Sequence, residues 1–128
     1  MQALWNAKFE GEALLYGEAP NHFIKEHLEL LLPCERIMCL GEGEGRNAIF
    51  LADKGLEVEA LDVSDVALFK LRKRAKAHYV QVKVRHTLLE HWNPMPSYGA
   101  VVCTYLHVPK KEQPLLFTKA LQALKDGG

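Results

Sequence analysis

The chain carries no charge surplus, no membrane-length apolar run and too few cysteines for a disulfide framework. Sixteen basic residues balance sixteen acidic ones. The basic excess or stripe that usually marks a nucleic-acid binder is therefore missing, and no nucleic-acid partner is expected. No stretch approaches the roughly 18 apolar residues of a spanning helix, and the N-terminus lacks a basic-then-apolar signal pattern. No membrane association is expected. The three cysteines, Cys34, Cys39 and Cys103, are odd in number and lack C-x-x-C spacing, which points to reduced thiols and a cytoplasmic location. His86 and His91 miss the i, i+4 spacing of a metal pair, and no Cys/His cluster has zinc spacing, so no metal is expected. Hydrophobic residues at 48% and charged ones at 25% exclude disordered and fibrous classes. At 128 residues the whole chain, 1–128, reads as one domain with one core.

What is present is a strand-loop-helix-strand pattern over 36–62, RIMCLGEGEGRNAIFLADKGLEVEALD. A short apolar run (Ile37–Leu40) leads into a loop holding Gly41, Gly43 and Gly45. A helical run (Asn47–Lys54) follows, stopped by Gly55. A second apolar run (Val58–Leu61) ends at Asp62. Alternate glycines let the backbone turn sharply and approach a ligand, and the next helix offers unpaired N–H groups. An acid after the second strand is placed to accept from ribose hydroxyls.

Around this unit, residues 1–20 read as an ordered arm with one turn of helix. Asn21 caps a helix bearing Ile24, Leu28 and Leu31 that stops near Pro33. Ser64 caps a helix to about His78, with Leu68, Leu71 and Ala75 inward. Its basic run of Lys70, Arg72, Lys73, Arg74 and Lys76 reads as a solvated face complementing the helix dipole. Residues 79–84 read as an edge strand, and 85–98 as a crossing loop with a short helical turn near 88–92. Residues 100–105, AVVCTY, suit a parallel strand covered on both faces, with Cys103 as a small apolar filler. A last helix over 110–125 places Phe117, Ala120, Leu121 and Leu124 inward. Alternating strands and helices predict an α/β fold, an open, doubly wound, mainly parallel sheet of order 3-2-1-4. The ligand cleft then lies above Gly41 and Tyr105.

The loop also satisfies the dinucleotide pattern G-x-G-x-x-A, over Gly43–Ala48, so a nicotinamide cofactor is one reading. Glu42 and Glu44 argue against it, because carboxylates repel a pyrophosphate and favour a ligand bearing ammonium and sulfonium groups. The helix-forming segment ahead of the first strand points the same way. His107, just past the fourth strand, stands where a general base could act. Trp5 and Trp92 read as core or cleft walls.

The strings YGEAPNHF (Tyr16–Phe23), CLGEGEGRNAIFLADKG (Cys39–Gly55), EALDVS (Glu59–Ser64) and LHVP (Leu106–Pro109) together resemble class I S-adenosylmethionine-dependent methyltransferases with a Rossmann-like core. They look most like the tellurite-resistance-type branch. The resemblance implies S-adenosylmethionine as cofactor and a small-molecule methyl acceptor. It implies that Gly41, Glu42 and Gly43, with Glu44 and Gly45 completing the loop, border the methionine part. Asp62 would accept from the ribose hydroxyls, Val63 and Leu88 would flank the adenine beside Thr87, and Tyr105 would face the methyl group. Three acids usual in the family are replaced, by Cys39, by Thr87 or a neighbour, and by Gly99, which leaves a non-catalytic cofactor-binding or scaffold domain as the second reading. Related domains continue with a fifth strand and an antiparallel hairpin. An uncharged fourth strand with an open edge is an association site, so a truncated chain, or a homodimer through that strand, is expected.

Overall fold

The computed structural model describes residues 2–10, 19–41, 43–103 and 110–128. Helix α1 (Gln2–Phe9) leads to α2 (His22–Glu26) and α3 (Leu28–Leu31), then to strand β1 (Arg36–Leu40). There follow α4 (Arg46–Asp53), β2 (Glu57–Asp62), α5 (Asp65–Ala77), β3 (Val82–His86), β4 (Ala100–Cys103) and α6 (Gln113–Ala123), with 3-10 turns at Leu32–Cys34, Leu89–His91 and Lys110–Glu112. The four strands form one parallel sheet in the order β3-β2-β1-β4, as expected from the alternation of elements.

Side chains alternate across this sheet, and the two faces bury different things. Ile37, Cys39, Val58 and Ala60 face a core completed by Ile24, Ala48, Leu51, Leu68 and Leu71 from α2, α4 and α5. Met38, Leu40 and Leu61 face the opposite way, onto Trp92, Tyr98, Leu116 and Ala123. That second face also holds a charge in mid-strand. The carboxylate of buried Glu59 takes hydrogen bonds from Tyr98 Oη and from Arg85 on β3. Burial first, and then the Glu59 contact, push the Tyr98 phenol up to about 12. The network ties β2, β3 and the entry to β4 together.

Helix ends account for several boundaries. Asn21 Oδ1 accepts from Phe23 N at 2.8 Å, and Ser64 Oγ accepts from Ala67 N at 3.1 Å, so both expected caps are present. Helix α4 closes on Gly55 at φ 89, with Gly55 N bonded to Ala52 O and Leu56 N to Leu51 O. Helix α5 closes the same way on Tyr79 at φ 58, with Tyr79 N bonded to Lys76 O and Val80 N to Ala75 O. Residues 79 and 80 are therefore consumed by the helix exit. The third strand begins at Val82 rather than at 79.

Other expectations are corrected. The N-terminal arm holds an eight-residue helix, fixed by tertiary contacts that periodicity does not report. The helix after Asn21 is interrupted at His27. On α6 the inward residues are Leu116, Lys119 and Ala123, one step from the expected face, leaving Phe117 and Leu121 65% and 71% exposed. Lys119 Nζ bonds the carbonyl of Trp92, and Ser97 N and Tyr98 N bond Ala123 O, which sets the helix rotation. Strand β4 is half-buried rather than covered, and Cys103 is exposed. Gly99 sits where a Cβ would come 2.2 Å from Cys34 O. A side chain there would collide with backbone. Among the described residues no helix is long and apolar enough to cross a membrane, and no group of His, Cys, Asp or Glu could hold a metal.

The two helix exits generate opposite expectations. Tyr79 is 97% exposed and loses no packing on truncation, so Tyr79→Gly should raise stability by about 1 kcal/mol, whereas Gly55→Ala should lower it by a similar amount. Urea unfolding of both variants measures this, and a destabilised Tyr79→Gly would contradict it.

Candidate functional site

The carboxyl ends of β1, β2 and β3 meet at one edge of the sheet, because Leu40 is level with Leu61 and Asp62 with His86. The glycine loop leaves β1 there. Gly41 N bonds Leu61 O at 2.8 Å, and Gly41, Gly43 and Gly45 all take positive φ, 63, 63 and 90°. Such backbone is strained for any residue with a Cβ. Space is tight at Gly43 and lacking at Gly45. A Cβ on Gly43 would lie 3.1 Å from the Phe9 ring, and one on Gly45 would lie 2.5 Å from Leu71 on α5.

Asp62 anchors this loop. Its Oδ2 accepts from Gly43 N at 2.7 Å and its Oδ1 from Ser64 N at 2.9 Å. Burial raises its pKa, against the pull of the Ser64, Gly43 and Val63 amides and of His86. Each carboxylate oxygen can accept two hydrogen bonds, so capacity remains for hydroxyl donors of a bound ligand. Beside it, Thr87 N bonds Asp62 O at 3.1 Å, and His86 Nε2 lies 3.0 Å from Val63 O. The structure thus brings Gly41, Gly43, Asp62, Val63, Thr87 and Leu88 to one edge, with Val63, Thr87 and Leu88 half-buried. Cys39 is fully buried in the core.

Glu44 has a different setting from the one its sequence position suggests. It is buried, its Oε2 pairs with Lys70 Nζ at 3.0 Å, and Arg74 Nη1 donates to its carbonyl at 2.8 Å. Two members of the expected solvated basic run therefore clamp the loop to α5, while Arg72, Lys73 and Lys76 are exposed. An i, i+4 basic pair opposite a loop acid was the available signal. The loop's charge is correspondingly lower than a count of its acids suggests. Asn47, at the start of α4, accepts from Asn21 N at 2.6 Å and so fixes the helix ahead of β1 to the loop. Glu42, Tyr105 and His107 lie outside the described residues. Trp92 is a core residue, and Trp5 stacks on Phe9 with ring centroids 5.9 Å apart.

Residues 37–128 match the profile of a family described as a methyltransferase domain. The chain belongs to this methyltransferase-domain family. Solved structures agree on the fold. One comes from work on the conversion of a disulfide bond into a thioacetal group during echinomycin biosynthesis, with TM-score 0.82, 20% identity, and coverage of 96% of this chain and 55% of that one. A second is magnesium protoporphyrin IX methyltransferase from Synechocystis PCC 6803 with bound SAH, at TM-score 0.74 and 15% identity over 96% of this chain and 66% of that one. A third is TehB from Haemophilus influenzae, at 0.74 and 16% over 97% and 42%. The chain spans about half the length of such structures. No curated protein sequence matches it significantly.

Two adjacent acids of this methyltransferase domain should respond oppositely to pH. Asp62 is raised by burial, so its contribution to ligand-free stability is present below the ordinary value of 3.8 and is lost as pH rises through the folded value. Asp65 is lowered, chiefly by its bond from Asn6, so its contribution is present above 3.8 and is lost as pH falls through the folded value. In urea unfolding between acid and neutral pH, the stability of the wild type relative to Asp62→Asn should fall with rising pH, and relative to Asp65→Asn it should grow. Slopes of the same sign would contradict the assignment.

Proposed function

We propose that the chain is an S-adenosylmethionine-dependent methyltransferase acting on a small-molecule acceptor. The observation that carries this is the buried carboxylate of Asp62, bonded to Gly43 N and set at the sheet edge beside Val63 and Thr87, in a chain of the methyltransferase-domain family. In this reading the Gly41–Gly45 loop, with Glu42 and Glu44, borders the methionine part. Asp62 takes the ribose hydroxyls, and Val63, Thr87 and Leu88 flank the adenine. Cys103, the last residue of β4, is level with Leu40 at that edge, and the sequence segment 104–109 follows it. Tyr105 and His107, which follow in that segment, are assigned to the methyl site.

The cofactor supplies an activated methyl on a sulfonium. The protein's part is positioning: it holds the acceptor about 3 Å from the methyl, in line, and excludes water. That task needs no acid–base pair, and His107 is the candidate where an acceptor must lose a proton. Placement in the tellurite-resistance-type branch is supported by the YGEAPNHF and GEGEGRNA strings and by the likeness to TehB. A non-catalytic binding domain is the second reading, favoured by Cys39 and Gly99 in the places of family acids.

The place of β4 at the end of the sheet order supports self-association through that strand. Among the described residues only β1 pairs with it, and its sequence is uncharged. A second copy of the chain is the proposed occupant.

Calorimetric titration with S-adenosylmethionine and S-adenosylhomocysteine should show binding, and Asp62→Ala should weaken it more than tenfold, or roughly 1.4 kcal/mol, through loss of charge-assisted bonds. No binding by the wild type would sink both readings, and binding without transfer across an acceptor panel would favour the second. Light scattering at high concentration should give a dimer mass, which a monodisperse monomer would contradict.

A further inference from the structure

Helix α1 reaches the glycine loop by two independent routes. The first runs through Asn6. Its Oδ1 accepts from Ser64 Oγ at 2.6 Å, and its Nδ2 donates to Asp65 Oδ1 at 2.8 Å. Ser64 N in turn donates to Asp62 Oδ1, and Asp62 Oδ2 accepts from Gly43 N. A continuous line of hydrogen bonds therefore joins α1 to the loop through the carboxylate assigned to the ribose. The second route runs through Phe9, one turn further along the same helix face. Phe9 is 3% exposed, and its ring lies against the Cα of Gly43, 3.1 Å from where a Cβ would stand. The rest of α1 is mostly exposed. Eight residues form too short a helix to persist alone in water. Contacts with the rest of the fold hold it, these two and the bond from Gln2 Nε2 to Asp65 Oδ1 among them.

We infer that α1 is part of the cofactor site, with Asn6 a positioning residue that orients the Asp62 carboxylate through Ser64 and Phe9 the wall closing on Gly43. The inference rests on the cofactor reading above and assigns residues that the glycine-loop pattern does not reach. It has a thermodynamic consequence. A ligand that favours the loop arrangement seen here favours α1 docking by the same free energy, and docking favours the ligand.

The test is calorimetric titration of S-adenosylhomocysteine into four chains: wild type, Asn6→Ala, Asn6→Asp, and the exchanged pair Asn6→Asp with Asp65→Asn. Asn6→Ala loses the bonds with Ser64 and Asp65 and the longer one from Val66 N, 3.5 Å. Asn6→Asp keeps the acceptor for Ser64 and sets a carboxylate against Asp65, and the exchanged pair restores a donor opposite an acceptor. The expected result is binding about tenfold weaker in each single variant and within about threefold of wild type in the exchanged pair. Amide hydrogen exchange should also slow across residues 2–9 when S-adenosylhomocysteine is added to the wild type. If the wild type binds and Asn6→Ala binds equally well, the inference is overturned and the cofactor reading stands. If the wild type binds nothing, both fall. A weakened Asn6→Asp that the exchange does not restore assigns Asn6 to fold support alone and also overturns the inference.

Discussion

The bond from Gly43 N to the Asp62 carboxylate is the constraint on which the ligand edge depends. It joins the loop leaving β1 to the end of β2, two segments separated by a whole helix. The carboxylate is buried for this purpose, and burial works against its charge. Backbone amides from Gly43, Ser64 and Val63 oppose that effect. An acid held in this balance is pre-oriented and still has lone pairs to offer. The positive φ values along the loop are tolerable only because glycine occupies those positions.

Around that bond the fold adds supports from both sides. On α5, Lys70 and Arg74 grip Glu44, and Leu71 fills the space above Gly45. At the N-terminal side, Asn47 receives Asn21 N, so the helix ahead of β1 is positioned by the helix behind it. A buried Glu–Lys pair contributes less to net stability than to geometry, since desolvation offsets much of its attraction. Its effect here is to fix where the loop backbone lies. The opposite sheet face carries the Glu59, Tyr98 and Arg85 network, which joins β2 and β3 to the chain entering β4. The α4 and α5 face thus shapes the loop, and the other holds the strands in register.

Much of the strand framework was legible because its signals are local. Ile37–Leu40 is an apolar run bounded by a charged residue and a glycine, and Gly55 and Ser64 mark helix ends by backbone and capping chemistry that depends on neighbours in sequence. The misplacements share a cause. Tyr79 and Val80 carry strand propensity, yet the exit of α5 uses them in a left-handed turn. Phe117 and Leu121 have the right spacing for a buried stripe, yet Lys119 and its bond to the Trp92 carbonyl turn the helix by one position. Propensity ranks the options, and long-range contacts choose among them.

The same division runs through the site. The amino-acid sequence by itself determined the parallel sheet order, the glycine loop and the acid at Asp62, because periodicity, turn chemistry and spacing along one βαβ unit are all short-range properties. Only the tertiary structure decided that Glu44 is paired with Lys70, that Gly99 gives room for the Cys34 carbonyl, and that Asn6 and Phe9 meet the loop. Asn6 and Ser64 are 58 positions apart, and Glu44 and Lys70 are 26 apart. Contacts over such separations leave no period in a sequence. They exist only once the sheet has brought its strand ends to a common edge.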